Sequence, residues 1–438
     1  MNIYFVSMGC AKNTADSEHL TAQLEALGHT ITDSPQNSDT AIINTCGFIQ
    51  DAVKENIDAI LDLEQLKQQG VIKQIIVAGC LVNRYEKELR AELSGTVDLF
   101  ARSEEWEKVI SFLGGTYNAN CQAVSHAIDR RFWSRYLKIS EGCNTLCSYC
   151  AIPMIRGKLR SVPLSQVVSE ALMLCAAGAK ELCLVGQDLT VYGQDSGSSL
   201  QDLIHALNSE LPAGVWLRLL YLHPNKVDEK LVDFLMSQEH VLHYLDIPIQ
   251  HADPEILARM NRPIPEGHMR RVFTYIRSLD PLFALRTTIM AGFPGESEAA
   301  FSRVMDFVSD IEFDRLGVFA YSPEDGTKAA KFSGRVSRKT AESRCSRLMN
   351  LQAEIAQSRS ELFIGREMDV LIEEIDSDSG EAWGRSYRDA PEVDGLVCVS
   401  GEGAAKLKPG DTVRAKIHDC NENDLFGEIL TGGSIHED

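Results

Sequence analysis

The feature that most constrains the fold is a strand–helix unit that occurs six times between about residues 135 and 330. Short β-rich segments alternate there with longer segments of helical apolar spacing. Such alternation predicts a parallel sheet covered by helices. A complete β/α barrel needs eight units, so six predict an open, partial barrel with its chemistry at the C-terminal ends of the strands. The predicted strands are Tyr136–Ser140, Glu181–Val185, Trp216–Tyr221, His243–Pro248, Ala284–Ala291 and Leu316–Tyr321, and the predicted helices are Leu164–Ala177, Leu200–Leu211, Val227–Met236, Pro254–Met260, 266–279 and Glu298–Ile311.

Two further domains are predicted on either side of this one. Residues 1–130 alternate in the same way and predict a parallel α/β domain, ending in a polar linker over 118–131. Its predicted strands are Ile3–Val6, Ala41–Asn44, Gln74–Ala78 and Val97–Phe100, and its helices are Asp16–Leu27 and Asp51–Gln69. The central domain, 135–360, closes with a long helix over 337–361. Residues 362–431 predict a five-stranded β-barrel, with strands at Met368–Glu374, Ala382–Ser386, Leu396–Val399, Thr412–His418 and Leu425–Ile429.

Composition narrows the class of protein. The 438 residues carry a net charge of −20 and 12 cysteines. This charge disfavours a general nucleic-acid binder, and the cysteines are too sparse for a secreted disulfide scaffold. The first residues lack the pattern of a signal peptide, and no apolar stretch predicts a transmembrane helix. We therefore expect a cytoplasmic protein without a membrane partner, in which clustered cysteines indicate metal binding or catalysis.

The strongest chemical signal is a CxxxCxxC loop directly after the first strand of the central domain. It contains Cys143, Cys147 and Cys150. Thiolates suit iron–sulfur clusters or zinc. A cubane normally takes four cysteines, so three leave one iron open to a small molecule. Zinc is the alternative, but it needs a fourth ligand, and the next cysteines, Cys175 and Cys183, fit core packing better.

A second set of cysteines follows three predicted strands of the first domain. Cys10, Cys46 and Cys80 each lie beside a glycine at a strand end. The C-terminal ends of parallel strands share one edge of a sheet, where ligands bind. The sequence therefore predicts a second cluster at this edge. The alternative is three small buried apolar residues. The remaining four cysteines, Cys121, Cys345, Cys398 and Cys420, are expected to be structural.

The loop after the first strand resembles the signature of the radical S-adenosylmethionine (SAM) enzymes. Tyr149 stands just before the last cysteine, as an aromatic residue does in that family. The resemblance implies a [4Fe–4S] cluster whose open iron chelates SAM, and reductive cleavage of SAM to a 5′-deoxyadenosyl radical.

The two triads together resemble the methylthiotransferase family of radical SAM enzymes. Gly9-Cys10-Ala11-Lys12-Asn13, followed by Asp16-Ser17-Glu18, is similar to the family's opening motif, and Asn44-Thr45-Cys46 is similar to its second. The likeness covers nearly the whole chain. It implies an N-terminal α/β domain with a cluster, a radical SAM barrel with another, and a C-terminal TRAM barrel. The implied cofactors are two [4Fe–4S] clusters and SAM, together with an external electron donor.

Three segments resemble the branch of this family that methylthiolates the β-carbon of an aspartate in small-subunit ribosomal protein twelve. They are residues 138–144, 245–252 and 384–395. Where the second reads Gln250-His251-Ala252, the branch that modifies a tRNA adenosine tends to carry Gln-Ser-Gly. The tRNA enzyme is the first alternative. A non-catalytic iron–sulfur binding or sensing protein is the second, although it would need neither six barrel units nor an open iron.

Other barrel residues have weaker interpretations. By resemblance, Gly186 and Gln187 contact the amino group of SAM, and Gly292 lines its adenosine side. Tyr149 and Gln250 are further candidates for cofactor binding. Arg156 and His251 are candidates near the substrate. Each has an alternative: Arg156 stabilises the cluster loop, and His251 is a supporting hydrogen-bonding residue.

Charge is concentrated at the C-terminus. Residues 361–438 hold 19 acidic and 7 basic side chains, a net of −12, against −8 for the first 360 residues. This barrel would repel a phosphate backbone and attract a basic ribosomal protein. The sequence therefore favours a basic small-subunit ribosomal protein as partner, without direct tRNA binding. The alternative is an acidic face that only aids solubility.

Overall fold

The N-terminal region is a five-stranded parallel sheet flanked by helices. A computed structural model describes residues 1–118, 121, 123–265 and 267–430. The N-terminal elements are β1 (Asn2–Ser7), α1 (Ala11–Ala26), β2 (Thr30–Thr32), β3 (Thr40–Thr45), α2 (Gln50–Gln68), β4 (Gln74–Gly79), α3 (Cys80–Leu93), β5 (Leu99–Ala101) and α4 (Trp106–Phe112). The strand order is β2–β1–β3–β4–β5. Every residue of β3 is buried, because helices cover both faces of the sheet.

The central region is a six-stranded parallel sheet whose strands follow one another in chain order, from β6 to β13. Its elements are β6 (Ser134–Lys138), β7 (Ser140–Glu141), α5 (Ile152–Ile155), β8 (Arg160–Ser161), α6 (Leu164–Ala176), β9 (Glu181–Val185), α7 (Leu200–Glu210), β10 (Trp216–Leu219), α8 (Glu229–Met236), β11 (Val241–Asp246), α9 (Pro254–Arg259), α10 (His268–Leu279), β12 (Ala284–Ala291), α11 (Glu298–Ile311), β13 (Arg315–Ala320) and α12 (Arg338–Glu361). Strands β7 and β8 form a separate antiparallel pair. In the described part of the chain the outer strands β6 and β13 do not pair, so the predicted partial barrel is confirmed.

The C-terminal region is a closed five-stranded barrel. Its strands are β14 (Glu367–Ile375), β15 (Ala382–Arg385), β16 (Val397–Ser400), β17 (Thr412–Cys420) and β18 (Leu425–Ile429), in the order β14–β15–β16–β18–β17. A core of mainly apolar side chains from Phe363 to Leu425 fills it. Closure removes the free edges that an open sheet of this size would expose.

The concave face of the central sheet is filled by the two flanking regions. Along β9, Leu182 and Leu184 pack beneath the helices, whereas Cys183 and Val185 face the other side. Ala15 of α1 and Ala390, from the segment between β15 and β16, pack into the same cluster as Cys183. The barrel interior is therefore completed by both neighbours, which brings α1 and the N-terminal cysteines against the barrel.

The fold class agrees with the sequence prediction, and the differences are local. Helix α1 begins at Ala11 instead of Asp16, and β11 spans Val241–Asp246 instead of His243–Pro248. The sequence did not predict β2, α3 or α4. The predicted helix over 266–279 is α10, which begins at His268, and residue 266 lies outside the described residues, as does residue 431 at the end of the predicted barrel. No helix of the described residues is long and apolar enough to cross a membrane.

Candidate active site between the two cysteine triads

The CxxxCxxC loop leaves the barrel between the small strand β7 and helix α5. Gly142 has φ +74°, and a Cβ there would lie 2.1 Å from the carbonyl oxygen of Lys158. Only glycine permits this close approach. The backbone N–H of Cys143 donates to the Gly157 carbonyl at 3.1 Å, which fixes the start of the loop.

The three thiols of this loop lie close together. Burial raises the pKa of Cys150 to about 12, and the neighbouring Cys147 and Cys143 add to the effect. Backbone N–H groups of Thr145 and Ile152 donate to the sulfurs of Cys143 and Cys150, at 3.4 and 3.5 Å. Arg262 donates to Cys147 Sγ at 3.7 Å. N–H groups aimed at sulfur stabilise thiolates, which are the form that binds metal.

The N-terminal triad lies at the C-terminal ends of three adjacent strands. Cys10 precedes α1, Cys46 follows β3, and Cys80 opens α3. A Cβ at Gly9 would lie 2.8 Å from Cys46 Cβ, and one at Gly47 would lie 2.9 Å from the Cys80 carbonyl oxygen. The glycines beside the cysteines therefore let these three chain segments approach closely.

Electrostatics separate the three thiols of this triad. Burial raises the pKa of Cys80 to about 11 and also raises that of Cys46. Cys10 is exposed, and the neighbouring protein only partly desolvates its thiol, which acts to raise the pKa. Lys12, a backbone N–H and Arg156 outweigh this effect, so the pKa of Cys10 is lowered. Cys10 is therefore the member most readily present as a thiolate.

The donor sets suit a cluster better than a single ion. No group of three or more His, Cys, Asp or Glu side chains in the described residues is arranged to hold one metal ion. Each triad nevertheless brings three thiols within electrostatic range of one another. A cubane is wider than a single ion and takes thiolate ligands, so three converging cysteines without a fourth fit a four-iron cluster with one open iron.

Arg156 connects the N-terminal triad to the residue before the CxxxCxxC loop. It lies just after α5 and is only 4% exposed. Its Nε donates to Cys80 Sγ at 3.0 Å, and its Nη2 donates to Asn13 Oδ1 at 2.6 Å. Its Nη1 binds Asp16 at 2.9 Å and Glu141 at 2.8 Å. One guanidinium thus contacts the N-terminal triad, helix α1 and the residue before the CxxxCxxC loop.

Two lysines extend this polar network. Lys138 forms ion pairs with Asp16 and Glu141. Lys12 donates to the carbonyl oxygen of Gly186 at 3.2 Å and lies 4.9 Å from the centre of the Tyr221 ring. Burial raises the pKa values of Asp16 and Glu141, but Lys138 and Arg156 outweigh it and hold both carboxyls below their usual range. The buried interface therefore contains charged side chains of both signs, and each carboxylate is paired with a cation.

The candidate SAM residues lie at the ends of the barrel strands. Gln187 Nε2 donates to Glu141 at 2.9 Å, and its Oε1 is buried without a partner in the described residues. The Oε1 of Gln250 is also buried without a hydrogen-bond partner in the described residues, and the backbone of this residue has φ +68°. A Cβ at Gly186 would lie 2.6 Å from Ser140 Oγ, so this position has room only for glycine. Tyr149 is half-buried, and burial raises its pKa well above the usual range, beside Cys147.

Two of the predicted site residues, His251 and Gly292, make close contacts with other parts of the chain. His251 is 1% exposed, and its Nδ1 accepts from the Asp253 N–H at 2.9 Å while its Nε2 lies 3.4 Å from Glu296. A Cβ at Gly292 would lie 2.4 Å from Ala341 Cβ of α12. His251 thus holds the N–H of Asp253 through Nδ1 while its buried Nε2 has no hydrogen-bond partner in the described residues, and Gly292 permits the close approach of α12.

A cavity of about 220 Å³ opens beside the CxxxCxxC loop. Its lining includes Asn144, His223 and Arg262. Burial, helped by Arg262 and Lys226, lowers the pKa of His223 to about 3, so this imidazole is neutral and its buried Nε2 has no partner in the described residues. Neither His223 nor Arg262 lies in a motif that marks it as a site residue in the sequence. The segments that resemble the family include Asp16, Lys138 and Glu141, but their positions in the sequence do not indicate that the three side chains form one network.

Three family models match the chain. Residues 2–101 match the uncharacterized protein family UPF0004, residues 137–308 match the radical SAM superfamily, and residues 364–430 match the TRAM domain. Among solved structures, the radical SAM methyltransferase TsrM from Kitasatospora setae aligns with TM-score 0.55 and 13% identity over 81% of this chain and 89% of that one. OxsB, a cobalamin-dependent SAM radical enzyme, aligns with TM-score 0.53 and 12% identity over 81% and 61%. These likenesses agree on the fold.

The fold and the CxxxCxxC loop thus define a radical SAM enzyme. The curated relatives give the family. The ribosomal protein uS12 methylthiotransferase RimO of Desulfosudis oleivorans is 39% identical over 98% of this chain and 100% of its own length, and that of Aquifex aeolicus is 40% identical over 98% and 97%. The chain belongs to the RimO family of radical SAM methylthiotransferases, whose cofactors are SAM and two [4Fe–4S] clusters.

Proposed function

We propose that the chain adds a methylthio group to the β-carbon of an aspartate in ribosomal protein uS12, in the cytoplasm. The observation that carries the proposal is the contact of Arg156 with Cys80 on one side and Glu141 on the other. This contact places Cys80 of the N-terminal triad against Glu141, two residues before Cys143, across one buried interface. Transfer of sulfur to a carbon that has lost a hydrogen atom needs both centres close to the same substrate atom.

The proposed cluster ligands are the two triads, Cys143, Cys147 and Cys150 in the barrel and Cys10, Cys46 and Cys80 in the N-terminal domain. When bound, the clusters and SAM supply one-electron cleavage of the sulfonium, hydrogen abstraction and the transferred sulfur and methyl groups. The polypeptide supplies position and exclusion of water. Cys80, Ala151 and Ile155 pack into one buried cluster across the interface, so solvent has little access to Cys80, whereas Cys10 is exposed.

The proposed SAM contacts are polar atoms without a partner and close backbone approaches. Gln187 Oε1 and Gln250 Oε1 are buried acceptors, suited to a donor such as the SAM ammonium group. Gly186 and Tyr149 lie on the same end of the barrel. Gly292 is a further proposed contact, through its backbone, since Ala341 of helix α12 occupies the space beside its Cβ position. Arg156 and His251 act as positioning residues.

The substrate assignment draws support from charge. Ten acidic side chains between residues 361 and 430 are exposed: Glu361, Glu367, Asp369, Glu374, Asp378, Glu392, Glu402, Asp419, Glu422 and Glu428. An acidic barrel attracts a basic ribosomal protein and repels the tRNA backbone. Two further carboxylates do not contribute to this acidic surface. Asp389 and Asp394 form ion pairs with Arg315 and Arg286 of the central domain.

The test is an anaerobic assay of the reconstituted full chain. Purified uS12, assembled small subunits and tRNA are each incubated with SAM and a reductant, and the products are examined by mass spectrometry. We expect a gain of one methylthio group on an aspartate of uS12 or of the subunit. A gain on tRNA adenosine instead would assign the chain to the other branch, and SAM cleavage without any methylthio product would refute the proposal.

A further inference from the structure

We propose that the side-chain ammonium of Lys12 binds the γ-carboxylate of the substrate aspartate and thereby holds its β-carbon between the N-terminal domain and the barrel. The inference rests on the proposed function, because it concerns how the aspartate of that reaction is held. Lys12 is the second residue of α1 and stands two positions after Cys10. Its side chain is half-buried and reaches from the N-terminal domain to the barrel.

The ammonium of Lys12 lies between the N-terminal triad and the candidate SAM residues of the barrel. It donates to the carbonyl oxygen of Gly186, just after β9, at 3.2 Å. It also lies 4.9 Å from the centre of the ring of Tyr221, which follows β10. On the other side, Cys10 is within electrostatic range of it. A carbon that exchanges hydrogen for sulfur must lie between these two sides, so the ammonium is next to the position that the substrate needs.

The charged side chains at this junction leave one positive charge in excess. There are three cations, Lys12, Lys138 and Arg156, and two carboxylates, Asp16 and Glu141. Both carboxylates are paired with Lys138 and Arg156. Lys12 forms no ion pair with a carboxylate of the described residues, and its contacts are a backbone carbonyl and an aromatic ring. A desolvated cation without a counter-charge favours an incoming carboxylate.

The arginines on the concave face of the sheet are already paired with carboxylates. The pairs are Arg218–Glu181, Arg286–Asp246 and Arg315–Asp389.

Arg262 is the nearest rival to Lys12, because its guanidinium binds the carbonyl oxygen of Pro248 and the sulfur of Cys147 instead of a carboxylate. Arg262 therefore lies at the barrel triad, whereas Lys12 lies between the two domains. The position of Lys12 is the one that a substrate shared by both triads would reach.

A different role for Lys12 would be to offset the charge of the N-terminal thiolates. Arg156 already does this by direct contact, since its Nε donates to the sulfur of Cys80 at 3.0 Å. The ammonium of Lys12 donates to the barrel instead and makes no hydrogen bond to a cysteine sulfur in the part of the chain that the structure describes. The geometry therefore favours a ligand on the barrel side.

The chemistry of the ammonium suits an aspartate. A lysine ammonium has three N–H donors. Gly186 accepts from one of them, which leaves the others for the oxygens of a carboxylate. A charge-assisted hydrogen bond of this kind is stronger than one between neutral groups. An adenine base offers acceptors but no negative charge, so Lys12 favours an acidic side chain over a tRNA adenosine.

The experiment compares two forms of the substrate on the reconstituted full chain. The substrate is uS12, free or within the small subunit, whichever is methylthiolated. The second form has asparagine in place of the modified aspartate, which keeps the shape of the side chain and removes its charge. Dissociation constants are measured for both forms by calorimetry, and KM and kcat of methylthio transfer are measured for the aspartate form.

Two variants are compared with the unsubstituted chain. Lys12→Met removes the charge and keeps a side chain of similar length, and Lys12→Gln replaces it if the first variant does not fold. Lys138→Met is the matched control, because it removes a cation from the same junction whose partners are the chain's own Asp16 and Glu141. Iron content reports whether each variant keeps its clusters.

We expect the unsubstituted chain to bind the aspartate form roughly tenfold more tightly than the asparagine form. Lys12→Met should bind the two forms equally, and its KM for the aspartate form should rise roughly tenfold. Lys138→Met should keep the preference for aspartate, because the carboxylate that it leaves without a partner belongs to the chain.

Several results would overturn the role of Lys12. Equal affinity of the unsubstituted chain for the two forms would do so without any variant. A preference for aspartate that persists in Lys12→Met would also do so, and a loss of iron together with that preference would assign Lys12 to the N-terminal thiolates. Loss of the preference in Lys138→Met alone would assign the carboxylate to Lys138. Absence of a methylthio product on uS12 and on the small subunit would instead refute the proposed function.

Discussion

The guanidinium of Arg156 donates from Nε to the sulfur of Cys80 at 3.0 Å, across the junction of two domains. The same group binds Asp16 and Glu141, so its orientation is fixed by two carboxylates. Hydrogen bonds to a ligating sulfur raise the reduction potential of a cluster. If Cys80 ligates a cluster as proposed, Arg156 connects the geometry of the interface to the electronic properties of that centre.

Replacing Arg156 should shift that potential. We expect Arg156→Lys to lower the midpoint potential of the N-terminal cluster by about 60 mV, the equivalent of about 1.4 kcal/mol for one charge-assisted hydrogen bond. Redox titration followed by electron paramagnetic resonance measures it. The matched control is Arg84→Lys, which alters a buried ion pair with Glu324 at the same interface but contacts no cysteine. Equal potentials in the two variants would contradict the assignment.

The two triads should be separable by substitution. Cys147→Ala should abolish 5′-deoxyadenosine formation, whereas Cys46→Ala should stop methylthio transfer and leave some SAM cleavage. Each should lower the iron content from about eight to about four per chain. Cys345→Ser is the control, since this half-buried thiol of α12 has no cysteine partner in the described residues, and it should keep all the iron. Retained 5′-deoxyadenosine formation in Cys147→Ala would refute the barrel cluster ligands.

Glu181 should make the chain sensitive to acid. This buried carboxylate pairs with Arg218 at 2.7 Å and with Arg385 at 2.6 Å, joining the central domain to the C-terminal barrel. Although burial acts to raise its pKa, the two arginines lower it from 4.5 to about 2. A lowered carboxyl pKa stabilises the fold above pH 4.5, and this stability is lost as the pH falls toward 2. The shift corresponds to about 3 kcal/mol.

Thermal unfolding of the apo chain, measured by circular dichroism across this pH window, tests the prediction. Glu181→Gln should lower stability at pH 7 by about 3–5 kcal/mol, since it leaves the buried Arg218 guanidinium without its carboxylate and leaves Arg385 with Glu373 alone. It should also flatten the decline between pH 4.5 and 2. Glu367→Gln, at an exposed pair with Arg414, is the control and should change neither. A decline as steep in Glu181→Gln as in the unsubstituted chain would contradict the role of this carboxylate.

The sequence predicted those parts of the fold that local pattern determines. Strands β9, β12 and β18 and helix α11 lie at the residues predicted, because each is an uninterrupted apolar or amphipathic run with clear turns. Helix α3 was missed because it begins at Cys80 directly after Gly79, whose φ of +100° is not a usual helix start, and because it is interrupted at Tyr85. Strand β2 has three residues, too few for a periodic signal.

The ion pairs between the domains could not be predicted from local sequence patterns. Arg156 and Asp16 are 140 residues apart in sequence, and Arg385 and Glu181 are 204 apart. Each looks like an ordinary surface charge until the domains are packed together. The grouping of the cysteines, by contrast, was predictable from sequence. The CxxxCxxC spacing places three thiols on one loop, and Cys10, Cys46 and Cys80 follow parallel strands whose ends share one edge of the sheet.

The glycine before Cys10 offers a test of that convergence. Gly9 has φ +105°, and a Cβ there would lie 2.8 Å from Cys46 Cβ and 3.3 Å from its sulfur. Gly28 also has a positive φ, +84°, but nothing lies within 4 Å of its Cβ position. Alanine at either site should cost about 1–2 kcal/mol of backbone strain. Only Gly9→Ala should also displace Cys46, so we expect it to lose about half of the iron after reconstitution while Gly28→Ala retains it. Iron analysis and methylthio transfer measure the difference, and full iron content in a folded Gly9→Ala chain would show that Cys10 and Cys46 do not share a cluster.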